Sequence, residues 1–245
     1  LHAQTGSFMI QDFYNLNLPV EVQWMLTLAF WIAFAIKVPM WPVHTWLPDA
    51  HTEAPAGGSV VLAALMLKMG AYGFIRFSLP MFPEIHMTID EFLIVLSLIA
   101  IVYVGIASIV QKDAKRLIAY SSISHMGIVT LGIFSVFLIF AKTGRSDSAL
   151  LGVQGAVFQM IAHAFSSGGL FIGISFLSAR MKTRMIDDYQ GVAFSMPIFA
   201  AFFMLFCMAN VGLPVCATAS KYNPIKLITS MRTTDSLTDD SSYFF

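Results

Sequence analysis

Apolar residues gather in six runs, at about 22 to 38, 57 to 80, 89 to 111, 117 to 141, 149 to 179 and 192 to 214. A bilayer core about 30 Å thick needs around 20 apolar residues in a helix, and these runs match that length. In lipid every backbone amide must be satisfied within its own segment, so the runs read as helices despite their many Val, Ile and Phe residues. The pattern predicts an all-α fold, a polytopic transmembrane helical bundle of about six spans. Polar stretches at Pro80 to Glu91, Gln111 to Arg116, Lys142 to Ser148 and Arg180 to Gln190 separate the runs and are too short to hold a soluble domain. The expected organisation is an extramembrane segment over 1–21, one membrane domain over 22–214, and a tail over 215–245. Ser, Thr and Asp dominate that tail, which reads as disordered or foreign to the fold.

Composition narrows the class. Of 245 residues, 57% are hydrophobic and only 11% charged, too few charges to cover the surface of a soluble enzyme. Fourteen Lys and Arg balance fourteen Asp and Glu, which leaves no basic field for nucleic acid. Cys207 and Cys216 form no CxxC pair, and His44, Asp49, His51 and Glu53 lie around Pro48 without a ligand spacing, so no metal site is expected. The first twenty residues lack a basic region followed by an apolar stretch, and no Met begins the chain; the sequence reads as a cut through a longer protein. The loops after odd-numbered runs carry Lys112, Lys115, Arg116, Arg180, Lys182 and Arg184, against Arg76, Lys142 and Arg145 on the other side. That bias puts the odd loops in the cytoplasm or matrix and the N-terminus outside, provided the basic residues of the tail are left out of the count.

Five ionisable residues fall inside the runs: Lys37, Lys68, Arg76, His125 and His163. A charge at a helix centre costs roughly 2.5 to 3.5 kcal/mol on insertion scales, so it is retained with a partner or a watery cavity. Lys68 lies eleven residues after Gly57, which at about 1.5 Å per residue is roughly 17 Å, near the midplane. Arg76, nearer its helix end, fits a side chain that snorkels to the interface. Lys37 precedes Pro39 and Pro42, which remove amide donors; it either anchors the end of the first span or lies in a helix broken within the membrane. His163 has Gln159 one turn before it and Ser166 and Ser167 one turn after, and His125 has Ser121 and Ser122 before it. Each histidine is either a proton relay or an imidazole bonded to a neighbouring helix. No Asp or Glu falls inside a run, since Asp90 and Glu91 open the third; two buried lysines therefore need counter-charges from elsewhere. No Ser-His-Asp set and no dinucleotide motif is evident.

Lys37-Val38-Pro39, followed by His44-Thr45-Trp46-Leu47-Pro48-Asp49-Ala50-His51 and Thr52-Glu53-Ala54-Pro55, resembles the antiporter-like membrane subunits of complex I, the proton-pumping NADH:quinone oxidoreductase. The resemblance continues through Leu67-Lys68, Gly70-Ala71-Tyr72-Gly73, the stretch from Lys115 to Gly127, and Gln159-Met160-Ile161-Ala162-His163, covering about residues 22 to 214. Its motifs are most similar to the chain called M in bacteria and subunit 4 in mitochondria. Multisubunit Na⁺/H⁺ antiporters and membrane-bound hydrogenases share part of the pattern.

The resemblance implies a parent of about fourteen helices built from inverted repeats, each with a discontinuous helix, here near Lys37 to Pro42. It implies that Lys37, Lys68, His125 and His163 serve proton translocation, with Pro39 and Pro42 breaking the helix and Ser121, Ser122, Gln159 and Ser166 as supporting polar groups. It further implies no cofactor in this chain, with NADH, FMN, iron-sulfur clusters and quinone bound by other subunits. Neighbouring antiporter-like and small membrane subunits are the implied partners, in a bacterial inner or mitochondrial inner membrane. Two departures stand out: the chain begins after the helix that carries a glutamate partner for Lys37 in relatives, and after Pro214 it leaves the family pattern. The alternatives are a Na⁺/H⁺ antiporter or hydrogenase subunit, and a passive membrane scaffold.

Overall fold

The computed structural model describes residues 5–14, 16, 18–189 and 191–211. The expected tail over 215–245 lies outside the described residues. Nine helices carry the description: α1 (Ile10–Tyr14), α2 (Val20–Lys37), α3 (Trp46–Glu53), α4 (Ala56–Met81), α5 (Pro83–Ile109), α6 (Ala114–Thr143), α7 (Ser146–Met181), α8 (Val192–Ser195) and α9 (Pro197–Val211). Helices α2, α4, α5, α6 and α7 are long and apolar enough to cross a membrane. The sixth expected run is instead divided by Met196, with Pro197 opening the fifteen-residue α9. Proline has no amide to continue the preceding helix but is well placed in the first turn of the next.

Helices α6 and α7 form the centre. They approach so closely at Gly132 and Gly152 that a Cβ on Gly132 would stand 2.7 Å from the Gly152 carbonyl oxygen, and one on Gly152 2.9 Å from that of Gly132. Small residues allow such backbone contact where no hydrophobic force between helices exists in lipid. Asp113 begins α6 by accepting hydrogen bonds from the amides of Lys115 at 2.8 Å and Arg116 at 3.2 Å. Those amides have no partner inside the helix, which is why a carboxylate cap suits the position. Around this pair, Leu67 and Phe74 of α4, Leu93 and Val104 of α5, and Ile133 and Phe134 of α6 join one buried cluster with Val38 and Leu47.

The long helices are not uniform. Helix α4 contains two π-turns, Leu62–Met66 and Phe74–Ser78, and α5 contains one at Ala100–Val104. Such wide turns free backbone groups from the regular ladder and concentrate at functional positions.

The three loops that follow odd-numbered spans meet at one end, as the charge bias assumes. Lys115 Nζ donates to the Ala54 carbonyl at 2.9 Å, and Arg184 donates to that of Thr52 at 2.7 Å. Arg184 also pairs with Asp113 at 3.4 Å, and Arg116 pairs with Asp49. The Ala114 amide donates to the Arg184 carbonyl, and that of Ile186 to the Lys112 carbonyl, both at 3.0 Å. Residues read from sequence only as a topology signal thus clasp the loops together.

The polar stretch expected between the second and third spans is mostly helix. Pro83 occupies the first turn of α5, so the helix starts well before Asp90. Asp90 therefore lies inside the third span and is buried, which corrects the expectation that no carboxylate does.

Candidate proton-transfer centre

Lys68 lies between the two π-turns of α4, on the short α-helical stretch Leu67–Gly73. Its Nζ donates to the carbonyl of Ala63, on the first π-turn, and lies 2.6 Å from His163 Nδ1 on α7. The π-turn supplies an accepting carbonyl five residues back, so the ammonium has a partner on its own helix as well as across the interface. The imidazole of His163 is buried, and Ser167 Oγ, also buried, lies 3.5 Å from Nδ1 and donates to the His163 carbonyl. The ring of His125, half-buried on α6, stands 5.6 Å from that of His163 between centroids, inclined at 61°. Three helices thus bring an ammonium and two imidazoles into one row.

This arrangement can pass a proton. Lys68 donates along its hydrogen bond to Nδ1 of His163, and the resulting imidazolium can give up the proton on Nε2 instead. The ring therefore moves a proton from one side to the other without rotating. Gln159, one turn earlier on α7, is buried, and its amide nitrogen has no protein partner among the described residues. A polar site with such an unsatisfied donor suits an ordered water.

Lys37 ends α2, where the chain breaks before α3 begins at Trp46, with Pro39 and Pro42 between the two helices. Val38 and Met40 at the break are buried. The discontinuity expected near Lys37 to Pro42 is therefore present. A Cβ on Gly70 would meet the Val38 side chain at 2.7 Å and Lys37 Cβ at 3.0 Å, so the glycine lets the broken end approach α4 two residues beyond Lys68. Lys37 itself makes no side-chain hydrogen bond or ion pair with the described residues and does not join the row of Lys68, His163 and His125.

The supporting hydroxyls divide. Ser121 and Ser122 both donate back to the Ile118 carbonyl, at 2.9 and 2.8 Å, and Ser121 additionally accepts from Asn210 of α9 at 3.4 Å. Ser166 donates weakly to the His163 carbonyl at 3.4 Å. Arg76 is exposed on the second π-turn, in keeping with an interfacial residue.

Sequence reasoning missed His51. It is fully buried on α3, stacked on Phe171 of α7 with centroids 4.3 Å apart, and neither ring nitrogen has a protein partner among the described residues. Burial, and then the charges of Lys115 and Lys68, push its imidazole down from 6.5 to about 4. The available signal was its place between Pro48, in the first turn of α3, and Pro55, next to an apolar run. Among the described residues no cluster of His, Cys, Asp and Glu could hold a metal ion.

Comparison with known proteins identifies the family and the fold. The family model described as "NADH:quinone oxidoreductase/Mrp antiporter, TM" matches residues 1–233. The chain belongs to that family. It is 50% identical over 216 residues to NADH-quinone oxidoreductase subunit M of Rhodobacter capsulatus, covering 85% of this chain and 40% of the relative. It is 44% identical over 214 residues to NADH-ubiquinone oxidoreductase chain 4 of Chondrus crispus, covering 87% and 41%. This family member thus spans about 40% of the length of those relatives. Among solved structures, a chain of respiratory complex I from Thermus thermophilus with bound NADH superposes with a TM-score of 0.77 at 31% identity, covering 94% of this chain and 50% of that one. A chain of the Mrp complex from Dietzia sp. superposes with a TM-score of 0.73 at 18% identity, covering 94% and 43%, which shows the shared fold alone. The all-α, antiporter-like architecture and the multi-pass membrane location follow from the family and from the five apolar helices.

Proposed function

We propose that this chain is the proton-translocating part of a membrane subunit of a respiratory NADH:quinone oxidoreductase, in a bacterial or mitochondrial inner membrane. The observation that carries the reading is the 2.6 Å contact between Lys68 Nζ and His163 Nδ1, with His125 next in the row. A lysine kept in a membrane helix with a titratable acceptor on the neighbouring helix is arranged to exchange a proton. Lys68 takes up and releases the proton, and His163 and His125 pass it along the row with help from water near Gln159. Lys37, close to α4 through Gly70, adjusts the proton affinity of Lys68 by its own charge, because a nearby cation disfavours a second one. NADH, FMN, iron-sulfur clusters and quinone belong to other subunits, so the chain's contribution to the reaction is proton movement and not electron transfer. Its partners are neighbouring antiporter-like and small membrane subunits.

The test is proton pumping by the assembled complex carrying K68A in the full-length subunit. Loss of pumping with the complex intact supports the assignment, and pumping at the normal stoichiometry defeats it. Proton flux that depends on sodium in vesicles and survives without NADH and quinone would instead indicate an antiporter.

A further inference from the structure

At the end of α4 remote from the loop clasp, Ser78, His86 and Asp90 form a hydrogen-bonded row. Ser78 Oγ lies 2.9 Å from His86 Nε2, and His86 Nδ1 lies 2.8 Å from Asp90 Oδ1. The three residues are 0%, 1% and 2% exposed. This is the Ser-His-Asp set that the sequence did not reveal, because its members sit on two helices joined at Phe82 and Pro83. The order of groups matches a hydrolytic nucleophile, but the hydroxyl is wholly enclosed on the second π-turn, where no substrate carbonyl reaches it.

The charges around the row argue for a different occupant. From α6, Phe134 and Phe137 stack on His86 at 6.2 and 6.3 Å between centroids. Phe82 lies at the turn and packs against Phe30 of α2. Arg76 on α4 and Glu84 and Glu91 on α5 are exposed, and His86 is the one ion-pair partner of Asp90 among the described residues. Asp90 Oδ2 is buried with no partner among the described residues. A neutral imidazole beside an ionised Asp90 would leave a net negative charge enclosed by aromatic rings, which is strongly unfavourable. One further proton, on His86 Nε2 or on Asp90 Oδ2, cancels that charge. In the first case the Ser78 hydroxyl turns to accept from Nε2 in place of donating to it.

We propose that Ser78, His86 and Asp90 form a second proton-binding site, separate from the Lys68 centre, which holds one exchangeable proton shared by the imidazole and the carboxylate. Ser78 lies ten residues beyond Lys68 on α4, about 15 Å at the helical rise. The N-terminal segment packs at this end of α4, where the Tyr14 hydroxyl donates to the Arg76 carbonyl at 2.8 Å, and the ligand chemistry of the site is that of a hydron and not of a metal. Because Ser78 closes the second π-turn of the helix that carries Lys68, the occupied site also holds that turn against α5. The site does not rest on the pumping role of Lys68.

The test uses the full-length subunit within its assembled complex in vesicles, titrated by infrared difference spectroscopy between about pH 5 and about pH 9. The wild type should show a coupled carboxyl and imidazole signal, with D90N removing the carboxyl component and H86Q the imidazole component. Proton release measured over the same titration should fall by one proton per complex in D90N. Should D90N fail to assemble, D90E keeps the acid one methylene further out and should move the carboxyl band. Spectra unchanged by D90N, or a band unmoved by D90E, overturn the proposal. K68A serves as the separate arm. It should leave the His86 and Asp90 signals in place, so a pumping defect in K68A and a lost signal in D90N report on two different sites.

Discussion

Replacing Lys68 by Met and by Arg separates proton transfer from charge and from packing. The lysine donates to His163 Nδ1 and to the Ala63 carbonyl. Removing the ammonium forfeits two charge-assisted hydrogen bonds, to His163 and to the Ala63 carbonyl, each worth about 1.5 to 3 kcal/mol. It also removes the cost of holding an ammonium away from water, several kcal/mol per ion. The two terms have opposite sign and similar size, so K68M should change the stability of the subunit by no more than about 2 kcal/mol in either direction. The His163 ring keeps Ser167, whose hydroxyl already stands 3.5 Å from Nδ1 and can turn toward it.

Proton transfer has no such compensation. General acid-base groups contribute about 10²-fold or more to proton-transfer steps, and methionine offers none of it. Arginine preserves the positive charge but does not deprotonate near neutral pH. Both K68M and K68R should therefore assemble into the complex, seen as an unchanged band on a native gel, and both should lose the pH gradient formed in vesicles during NADH oxidation. A pumping K68R would show that a fixed charge suffices and that no proton passes through this residue. A pumping K68M would remove the centre from the mechanism altogether.

Three further outcomes follow from the packing. Gly132→Val places a branched side chain against the Gly152 carbonyl, 2.7 Å from the new Cβ, and should cost at least 1 to 3 kcal/mol, roughly the range for overpacking, seen as a lower thermal midpoint of the detergent-solubilised complex. Asp113→Ala removes the cap of α6 and the partner of Arg184; the cap alone is worth about 0.5 to 2 kcal/mol, and the loss of thermal midpoint should be larger in low salt than in high because salt screens the ion pair. His51 is held down from 6.5 to about 4, so the unfolded chain binds more protons than the folded one between those values. Stability should then be fully present above about pH 6.5 and decline as the pH falls toward 4, by about 3 kcal/mol in all, from about 1.36 kcal/mol per pH unit. H51F should flatten that part of the pH profile of the thermal midpoint, and an equally steep profile in H51F would refute the assignment.

What was legible in the sequence was what the bilayer dictates. Runs of apolar residues fix which segments become helices, and a lysine such as Lys68 stands out because it lies near the middle of its run, whereas Arg76 lies near the end. Proline marked the break after Lys37 for the same reason, since a missing amide is a local property. The rest depended on which helix faces which. His163 could be suspected from its own stripe of Gln159 and Ser166, but its contact with Lys68 joins residues 95 positions apart. His51 looked like part of a polar connecting segment, and only the packing of α3 beneath α7 buries it against Phe171. Asp90 was read at the mouth of its span because acidic residues cluster there; the early start of α5 at Pro83 carries it inside. Ser121 and Ser122 show the converse: a hydroxyl on a helix is drawn to the carbonyl one turn back, so a polar string in sequence need not become a polar path in space.

The distribution of these features along α4 has a mechanical consequence. Its first residues adjoin the clasp formed by Lys115 and Arg184, since Ala54 and Thr52 supply the accepting carbonyls just before the helix begins. Its last π-turn is tied to α5 through Ser78 and His86. Lys68 sits between these two fixed ends, on an α-helical stretch with a π-turn on either side. A helix held at both ends keeps its lysine in register with His163. The first π-turn presents the Ala63 carbonyl to Nζ from the same helix while α7 presents His163 Nδ1 from the other side. The lysine is therefore positioned by its own helix, and the proton it can give up points to the next.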